Sequence, residues 1–245
     1  MHKQLPSVSV IIPCKNERGT IERIVQECPI MGSSTELIFV IGDSQDGSLE
    51  EAYRVQQLYK NKTITVIKQD KPSKARAVYL GFEHATGDIL MILDGDVTVC
   101  SSELPNFYQA ATKVPNALIN GTRLVYPMEK GAMPLLNYLV NKCFALLFSL
   151  VLRQRITDTL CGTKVLHKSA YKKIIQSKKF FTGADPFGDF YLLFGAAYLK
   201  LTIADMPVRY KRRTYGVSQI HRFYHGSLLL KLFLRGVYHT YFKRS

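Results

Sequence analysis

The chain has 245 residues, a formal net charge of +14 and a hydrophobic content of 47%. This much apolar material can build a sizeable core, which argues against a disordered or fibrous protein. The positive charge favours an anionic partner, whether nucleic acid, a phosphorylated small molecule or membrane headgroups. Five scattered cysteines without a CxxC pair disfavour a disulfide framework and a structural zinc site. We expect reduced, mostly buried thiols in a cytosolic protein, and the first apolar run is too short for a signal peptide.

Short apolar runs alternate with helical patterns along the first half of the chain. The predicted pairs are VSVIIP with a helix over 20–28, ELIFVIG with 48–60, TITVIK with 73–85 and ILMILD with 102–113. Such alternation is typical of a parallel sheet with helices on its faces. The near-continuous Val, Ile and Leu runs indicate strands that are covered on both sides. We therefore predict an α/β fold in which ligands bind beyond the carboxyl ends of the strands.

After about residue 121 the pattern changes, with a soft boundary over 121–131. The stretch MPLLNYLVNKCFALLFSLVL, residues 133–152, approaches the length of about 20 residues that crosses a bilayer. Asn137, Asn141 and Lys142 interrupt it near one side, so a helix in the membrane interface or on the protein fits better than a spanning helix. A buried core helix is the alternative. The tail HGSLLLKLFLRGVYHTYFKRS alternates apolar and basic residues, as in an amphipathic segment on an anionic surface.

Two carboxylates follow the strand in ILMILDGDVTV. Asp94 and Asp96 are two residues apart, and hard oxygen ligands together with bound phosphates are what Mg²⁺ or Mn²⁺ prefers. The alternative is an ordinary Asp-Gly turn. Upstream, Lys71, Lys74 and Arg76 place cations and a helix N-terminus near the same edge, which suits phosphate, although a solvated basic turn would look the same. With the polar loop GDSQDGS, this edge of the sheet is typical of a nucleotide site.

Six segments, taken in order, resemble a known family: VSVIIPCKNE, ELIFVIGDSQDGS, KPSKARAVYLGFEHATGDILMILDGDVTV, NGTRLVYP, TDTLCGTKVL and VRYKRRTYGVSQ. The chain resembles the family 2 inverting glycosyltransferases, in the branch of dolichyl-phosphate mannosyltransferases and polyprenyl-phosphate glycosyltransferases. The resemblance implies a GT-A fold with a Rossmann-like, mostly parallel sheet, helices on both faces and amphipathic membrane-interface helices. It implies one domain over 1–245, in which 1–121 bind a GDP- or UDP-linked sugar and 122–245 bind the acceptor and the membrane.

The resemblance also assigns donor-binding roles. Pro13 and Glu17 correspond to residues that grip the nucleobase and ribose, and Asp46 lies in the second nucleoside loop. The sequence departs from the family at Ile41 and Gly42, where acidic residues are usual. The expected metal is Mg²⁺ or Mn²⁺, held by the two aspartates of DGD. The predicted donor site comprises Pro13, Glu17, Asp46, Lys74, Arg76, Asp94, Asp96 and Arg123, the last near the phosphates.

The acceptor half has fewer assigned roles. Asp189 stands where many family members carry a base, with Asp185 as a neighbouring candidate. A base is needed for a hydroxyl acceptor, whereas a lipid phosphate is already an anion, and a helix N-terminal aspartate is the structural alternative. Asp158 and Gly162 match a region whose role we leave unassigned. The predicted catalytic residues are Asp96, Asp189 and Arg213, and the predicted acceptor-binding residues are Asp185, Arg209, Arg212, Arg213 and Ser218.

Three functions are compatible with these residues. The first is transfer of a sugar to a polyprenyl or dolichyl phosphate by a cytoplasmic protein attached peripherally to the inner face of the membrane. The second is transfer by the same fold to a hydroxyl of a glycolipid, polysaccharide or other lipid. The third is a basic nucleotide- or nucleic-acid-binding module, which the absence of a recognition motif in the sequence disfavours. We expect no nucleic-acid partner.

Overall fold

A computed structural model describes residues 4–177, 185–217 and 222–241. The described residues form one seven-stranded mixed sheet in the order β3-β2-β1-β4-β6-β5-β7. Parallel pairing joins β1 to β2 and β4, β2 to β3, and β5 to β7, while β6 is antiparallel to both of its neighbours. The strands are β1 (Val8–Cys14), β2 (Thr35–Ile41), β3 (Thr63–Lys68), β4 (Ile89–Ile92), β5 (Ala117–Thr122), β6 (Lys164–His167) and β7 (Thr202–Pro207).

The helices of the first half lie where the apolar periodicity predicts them, within a few residues at each end. A short 3-10 helix, Ser101–Glu103, precedes the fourth helix. The helices are α1 (Arg18–Glu27), α2 (Ser48–Leu58), α3 (Lys74–His84), α4 (Leu104–Lys113), α5 (Leu135–Leu152), α6 (Lys168–Gln176), α7 (Asp189–Tyr198) and α8 (Arg222–Tyr241). The predicted α/β fold with a mostly parallel sheet is confirmed.

Both faces of the sheet are covered, as the apolar runs predict. In β1, Ile11 packs in one hydrophobic cluster with α3, α5, α6, α7 and α8, whereas Val10 and Ile12 pack in the other with α1, α2 and α4. Successive side chains of a strand point to opposite faces, so an apolar run without alternation needs cover on both. All five cysteines are free thiols, and four of them are buried.

Helix α5 is apolar around most of its circumference but buries only one side. Asn141, Phe144, Ala145, Phe148 and Leu152 face the protein, and Phe148 packs against aromatic rings of α7 and α8. Among the described residues, α5 is the one helix whose length and composition would allow it to cross a membrane, and 28% of it is buried. The opposite side exposes a row of apolar side chains: Leu135, Leu136, Leu139, Val140, Leu146, Leu147 and Leu150.

Candidate functional site

A cavity of about 1840 Å³ lies at the carboxyl ends of β1, β2 and β4. Pro13, near the end of β1, and Lys15 and Asp43, just after β1 and β2, line one end. Asp94 and Asp96, on the turn that follows β4, line the same polar end. The other end runs between α5 and α8, and its wall there is mostly apolar. The cavity therefore joins a polar region at the sheet edge to an apolar region beneath α5.

Asp94 is paired with a cation at the start of α3. The Lys74 Nζ lies 2.6 Å from Asp94 Oδ1, and Ser73 caps α3 by accepting a hydrogen bond from the Arg76 backbone N–H at 3.0 Å. Burial raises the pKa of the Asp94 carboxyl, but the Lys74 ammonium more than offsets this, so the pKa lies below its ordinary value. A Cβ added at Gly162 would lie 2.5 Å from both Asp94 Oδ1 and Lys74 Nζ, so only glycine leaves room for this pair.

Arg213 connects the second aspartate to the predicted nucleoside grip. Its guanidinium donates to Asp96 Oδ2 at 2.7 Å and to Glu17 Oε1 at 2.5 Å. The other Asp96 oxygen accepts from the Thr98 N–H and hydroxyl at 3.1 and 2.8 Å. Burial raises the pKa of Glu17 to about 7, with Arg213 opposing the increase. The structure thus brings together Glu17 and Asp96, which the sequence assigned to the donor site, with Arg213, which it assigned to catalysis and acceptor binding.

Asp46 fastens the second nucleoside loop. Its carboxylate accepts from the Arg18 N–H at 3.1 Å, from the Ser48 N–H and hydroxyl at 3.0 and 2.5 Å, and from the Tyr215 hydroxyl at 3.1 Å. These protein donors lower its pKa against the effect of burial. Asp43, three residues earlier, lines the cavity instead. Sequence reasoning passed over Asp43, although its place directly after the end of β2 was a usable signal.

Arg123 is held at the cavity wall by Asp158. Its Nε and Nη2 lie 2.7 and 2.9 Å from the two Asp158 carboxylate oxygens, and its guanidinium lies 5.1 Å from the centre of the Tyr210 ring. The fully buried Asp158 also accepts from the Asn141 amide of α5 at 2.6 Å. Burial raises the pKa of Asp158, yet Arg123 outweighs it and lowers the pKa to about 2. Asp158 therefore ties the predicted phosphate-binding arginine to α5.

Asp189 begins α7 and is paired with a lysine that the sequence did not single out. Lys164 Nζ lies 2.9 Å from Asp189 Oδ1 and donates to the Cys161 carbonyl at 2.6 Å. The Lys164 side chain is fully buried, and that of Asp189 is 5% exposed. The sequence feature that could have identified Lys164 is its position directly before the apolar residues Val165 and Leu166. Asp185, the neighbouring candidate, accepts three backbone N–H bonds around the start of α7, and burial raises its pKa to about 6.

The remaining predicted residues divide between the cavity wall and the outer surface. Arg76 lines the cavity but is paired with Asp70 at 2.9 and 3.1 Å and with Glu83 at 3.1 Å. Arg209 is exposed, with its guanidinium 5.4 Å from the centre of the Tyr126 ring; it does not line the cavity. Pro13 and Arg212 do line it. Ser218 lies outside the described residues.

The sequence has relatives among known proteins. The sequence model of the family described as Glycosyl transferase family 2 matches residues 9–175. Undecaprenyl-phosphate 4-deoxy-4-formamido-L-arabinose transferase from Edwardsiella ictaluri is 23% identical over 223 residues, which are 89% of this chain and 64% of that protein. The protein of the same name from Salmonella paratyphi B is 23% identical over 56% of this chain and 44% of its own length. The chain thus spans less than two thirds of these relatives.

The fold also has counterparts among solved structures. Glucosyl-3-phosphoglycerate synthase from Mycobacterium tuberculosis, in complex with Mn²⁺, UDP and glucosyl-3-phosphoglycerate, superposes with a TM-score of 0.70 at 16% identity, covering 95% of this chain and 80% of that one. The same enzyme with Mg²⁺ and UDP gives a TM-score of 0.71 at 16% identity, covering 95% and 79%. At this identity the similarity concerns the fold, and it confirms the predicted GT-A architecture.

Proposed function

We infer the function from one premise, that this chain belongs to glycosyltransferase family 2. We propose that it transfers a sugar from a GDP- or UDP-linked donor to a polyprenyl phosphate, with inversion at the sugar. One observation carries the proposal: the cavity has two unlike ends, a charged one around Asp94 and Asp96 and an apolar one between α5 and α8. A charged nucleotide sugar and an apolar lipid chain need such a combination of surfaces.

The charged end suits a diphosphate and a divalent cation. Lys74 and Arg213 each contact one of the two aspartates, and Arg123 lines the same cavity. The described residues contain no cluster of three or more His, Cys, Asp or Glu side chains that could hold a metal alone. Mg²⁺ is commonly bound by one or two carboxylates plus substrate phosphates, so we propose that Asp94 and Asp96 hold Mg²⁺ or Mn²⁺ together with the donor diphosphate. The solved neighbours were crystallised with UDP and Mn²⁺ or Mg²⁺.

The proposed reaction needs charge stabilisation more than proton transfer. An acceptor oxygen attacks the anomeric carbon, the bond from that carbon to the diphosphate oxygen breaks, and the nucleoside diphosphate leaves with the electron pair. The bound cation would offset the charge that develops on the leaving group. Lys74, Arg123 and Arg213 supply fixed positive charge to the same region. No covalent intermediate with the protein is required.

The apolar end suits a polyprenyl chain. It is lined by Val140 and Phe144 of α5, by Leu160 of the loop before β6 and by Leu229 of α8. Val140 also belongs to the exposed apolar row of α5. The names of the curated relatives identify undecaprenyl phosphate as their acceptor. We propose that the lipid phosphate enters from the membrane side, with the protein attached peripherally to the inner face through α5 and α8.

An activity assay tests the proposed reaction. The protein is incubated with a panel of GDP- and UDP-linked sugars, a short polyprenyl phosphate and Mn²⁺ or Mg²⁺. We expect a lipid-linked sugar phosphate with one donor and none in the presence of a chelator. Transfer to the matching polyprenol, with none to its phosphate, would contradict the proposed acceptor and support the hydroxyl alternative.

A flotation experiment tests the membrane surface. Leu146 and Leu150 of α5 are 63% and 66% exposed. We expect the L146E/L150E variant to bind vesicles of phosphatidylethanolamine and phosphatidylglycerol at least about tenfold more weakly, because burying a leucine contributes about 1.5–3 kcal/mol. The control is L5E/L58E, whose leucines are exposed to a similar extent, 60% and 57%, but lie away from α5 and α8. Equal binding by both variants would refute attachment through α5.

A further inference from the structure

We propose that Lys164 is a positioning residue that holds Asp189 as an ionised carboxylate, and that this ion pair restricts the site to acceptors whose attacking oxygen is already charged. The inference rests on the proposed function and names a residue that would make the site select the phosphate acceptor over a hydroxyl. Neither the family resemblance nor the sequence pattern assigned a role to Lys164. It is the one lysine among the described residues whose side chain is fully buried in the core.

The pair has a rigid setting. Lys164 is the first residue of β6, whose neighbours are β4 and β5, and Asp189 is the first residue of α7. The ammonium lies 2.9 Å from the carboxylate and has the Cys161 carbonyl as a second partner at 2.6 Å. Lysines are almost never fully buried unless they are paired, and a carboxylate at a helix N-terminus is stabilised by the helix dipole. The ion pair and the Cys161 carbonyl therefore offset the burial of Lys164, and the N-terminus of α7 adds to the stabilisation of the Asp189 carboxylate.

The pair also lies beside the donor site. Asp189 lines the cavity, and the charged or titratable groups that face it are Lys164 from β6, Lys74 and Tyr79 from α3, and Asp185 from the segment before α7. Gly162, two residues before Lys164, leaves room for the contact between Lys74 and Asp94. The segment 162–164 therefore lies next to two ion pairs, Lys164 with Asp189 and Lys74 with Asp94.

The pairing makes Asp189 a poor general base. Protonation of its carboxylate would remove the nearest counter-ion of the buried Lys164 ammonium and leave it only the attraction of Asp94, which is unfavourable. A hydroxyl acceptor must lose its proton during transfer and needs a base. A phosphate oxygen attacks with its own charge, forms the new bond to the anomeric carbon as the donor diphosphate departs, and gives no proton to the protein. The buried ion pair is compatible with the second reaction only.

Stability as a function of pH tests the ion pair without an activity assay. In K164M the buried carboxylate loses its nearest cation and keeps only the longer-range attraction of Lys74, so we expect its pKa in the folded state to rise above that in the unfolded chain. The folded state then binds more protons between these two values, so stability falls as pH rises through this window. We expect the urea midpoint of K164M to fall relative to K164M/D189N between about pH 5 and pH 8, whereas K164R follows wild type. A pH-independent difference, or a double variant no more stable than K164M, would overturn the proposal.

Rate measurements test the consequence for the reaction. With the matching polyprenol as acceptor, we expect K164M, in which Asp189 is a stronger base, to transfer sugar at a rate that rises about tenfold per pH unit up to its new pKa, whereas wild type and K164R transfer sugar to the phosphate only. A K164M profile identical to that of wild type would show that Lys164 does not act through Asp189. If wild type transfers sugar to no acceptor, the proposed function fails, while the stability comparison still decides the ion pair.

Discussion

Replacing both Asp94 and Asp96 with asparagine will abolish metal-dependent sugar transfer, with a loss in kcat of about 10³-fold or more, because single electrostatic contacts to developing charge are worth about 10²–10³ in rate. Asparagine preserves the size of each side chain but removes the negative charge that a cation and the paired Lys74 and Arg213 require. The measurement is the initial rate at saturating donor over a titration of Mn²⁺.

The control for this variant is D70N. Asp70 is also paired with an arginine, at 2.9 Å from Arg76, but it does not line the cavity. We expect wild-type activity in D70N and unchanged nucleic-acid affinity in the double variant. Full activity in D94N/D96N would exclude the proposed donor site. Nucleic-acid binding that is retained in the double variant, without any transferase activity in wild type, would favour the basic binding module that the charge of +14 also allows.

The first half of the sheet is predictable because its information is local. Strands β1, β2 and β4 are mostly apolar runs followed by polar loops, and burial on both faces explains these runs without reference to the rest of the chain. The end of β4 also predicts where the DGD turn lies, since the residues after such strands lie at the edge of the sheet where ligands bind. The end of this strand located Asp94 and Asp96, whereas their interpretation as a donor site rather than an ordinary turn needed the neighbouring basic residues and the family resemblance.

The second half is less predictable because pairing there is not in chain order. Strand β6 has only four residues and is antiparallel to β4 and β5. Its antiparallel direction depends on the strands with which it pairs, and a short apolar run does not indicate strand direction. The same placement turns Lys164 into the core, where its partner Asp189 arrives from α7. A lone lysine next to apolar residues indicates that a buried acidic partner is needed, but it does not identify that partner.

The contacts of individual side chains were also only partly predictable from the sequence. Arg213 lies 117 residues from Asp96 and 196 from Glu17 in sequence, and the resemblance to a family, rather than any spacing, brought them to one site. Arg76 was expected beside the donor, yet Asp70, only six residues away, takes its guanidinium. Short-range competitors of this kind decide where a long flexible cation points, and a motif does not report them.

Gly162→Ala will reduce kcat by about 10²-fold although it adds a single methyl group, since a misplacement of about 1 Å at a reacting centre can cost that much. The new Cβ would lie 2.5 Å from both Asp94 Oδ1 and Lys74 Nζ, closer than real side-chain atoms approach. The Lys74 ammonium ends a flexible chain and can move away, whereas the Asp94 carboxylate is short and fixed to the turn after β4. The pair between them must therefore open. We expect weaker nucleoside diphosphate binding by calorimetry and a lower kcat together.

The fold should tolerate this change. The clash involves groups at the cavity wall rather than the packed core, so we expect a loss of stability at the lower end of the about 1–3 kcal/mol typical of overpacking. Gly226→Ala is the matched control, because a Cβ there meets nothing within 4 Å and alanine favours the helix in which it lies. Wild-type kcat in G162A would show that the contact between Lys74 and Asp94 is not part of the reacting geometry. Equal losses in both variants would assign the effect to the bulk of the side chain in the cavity.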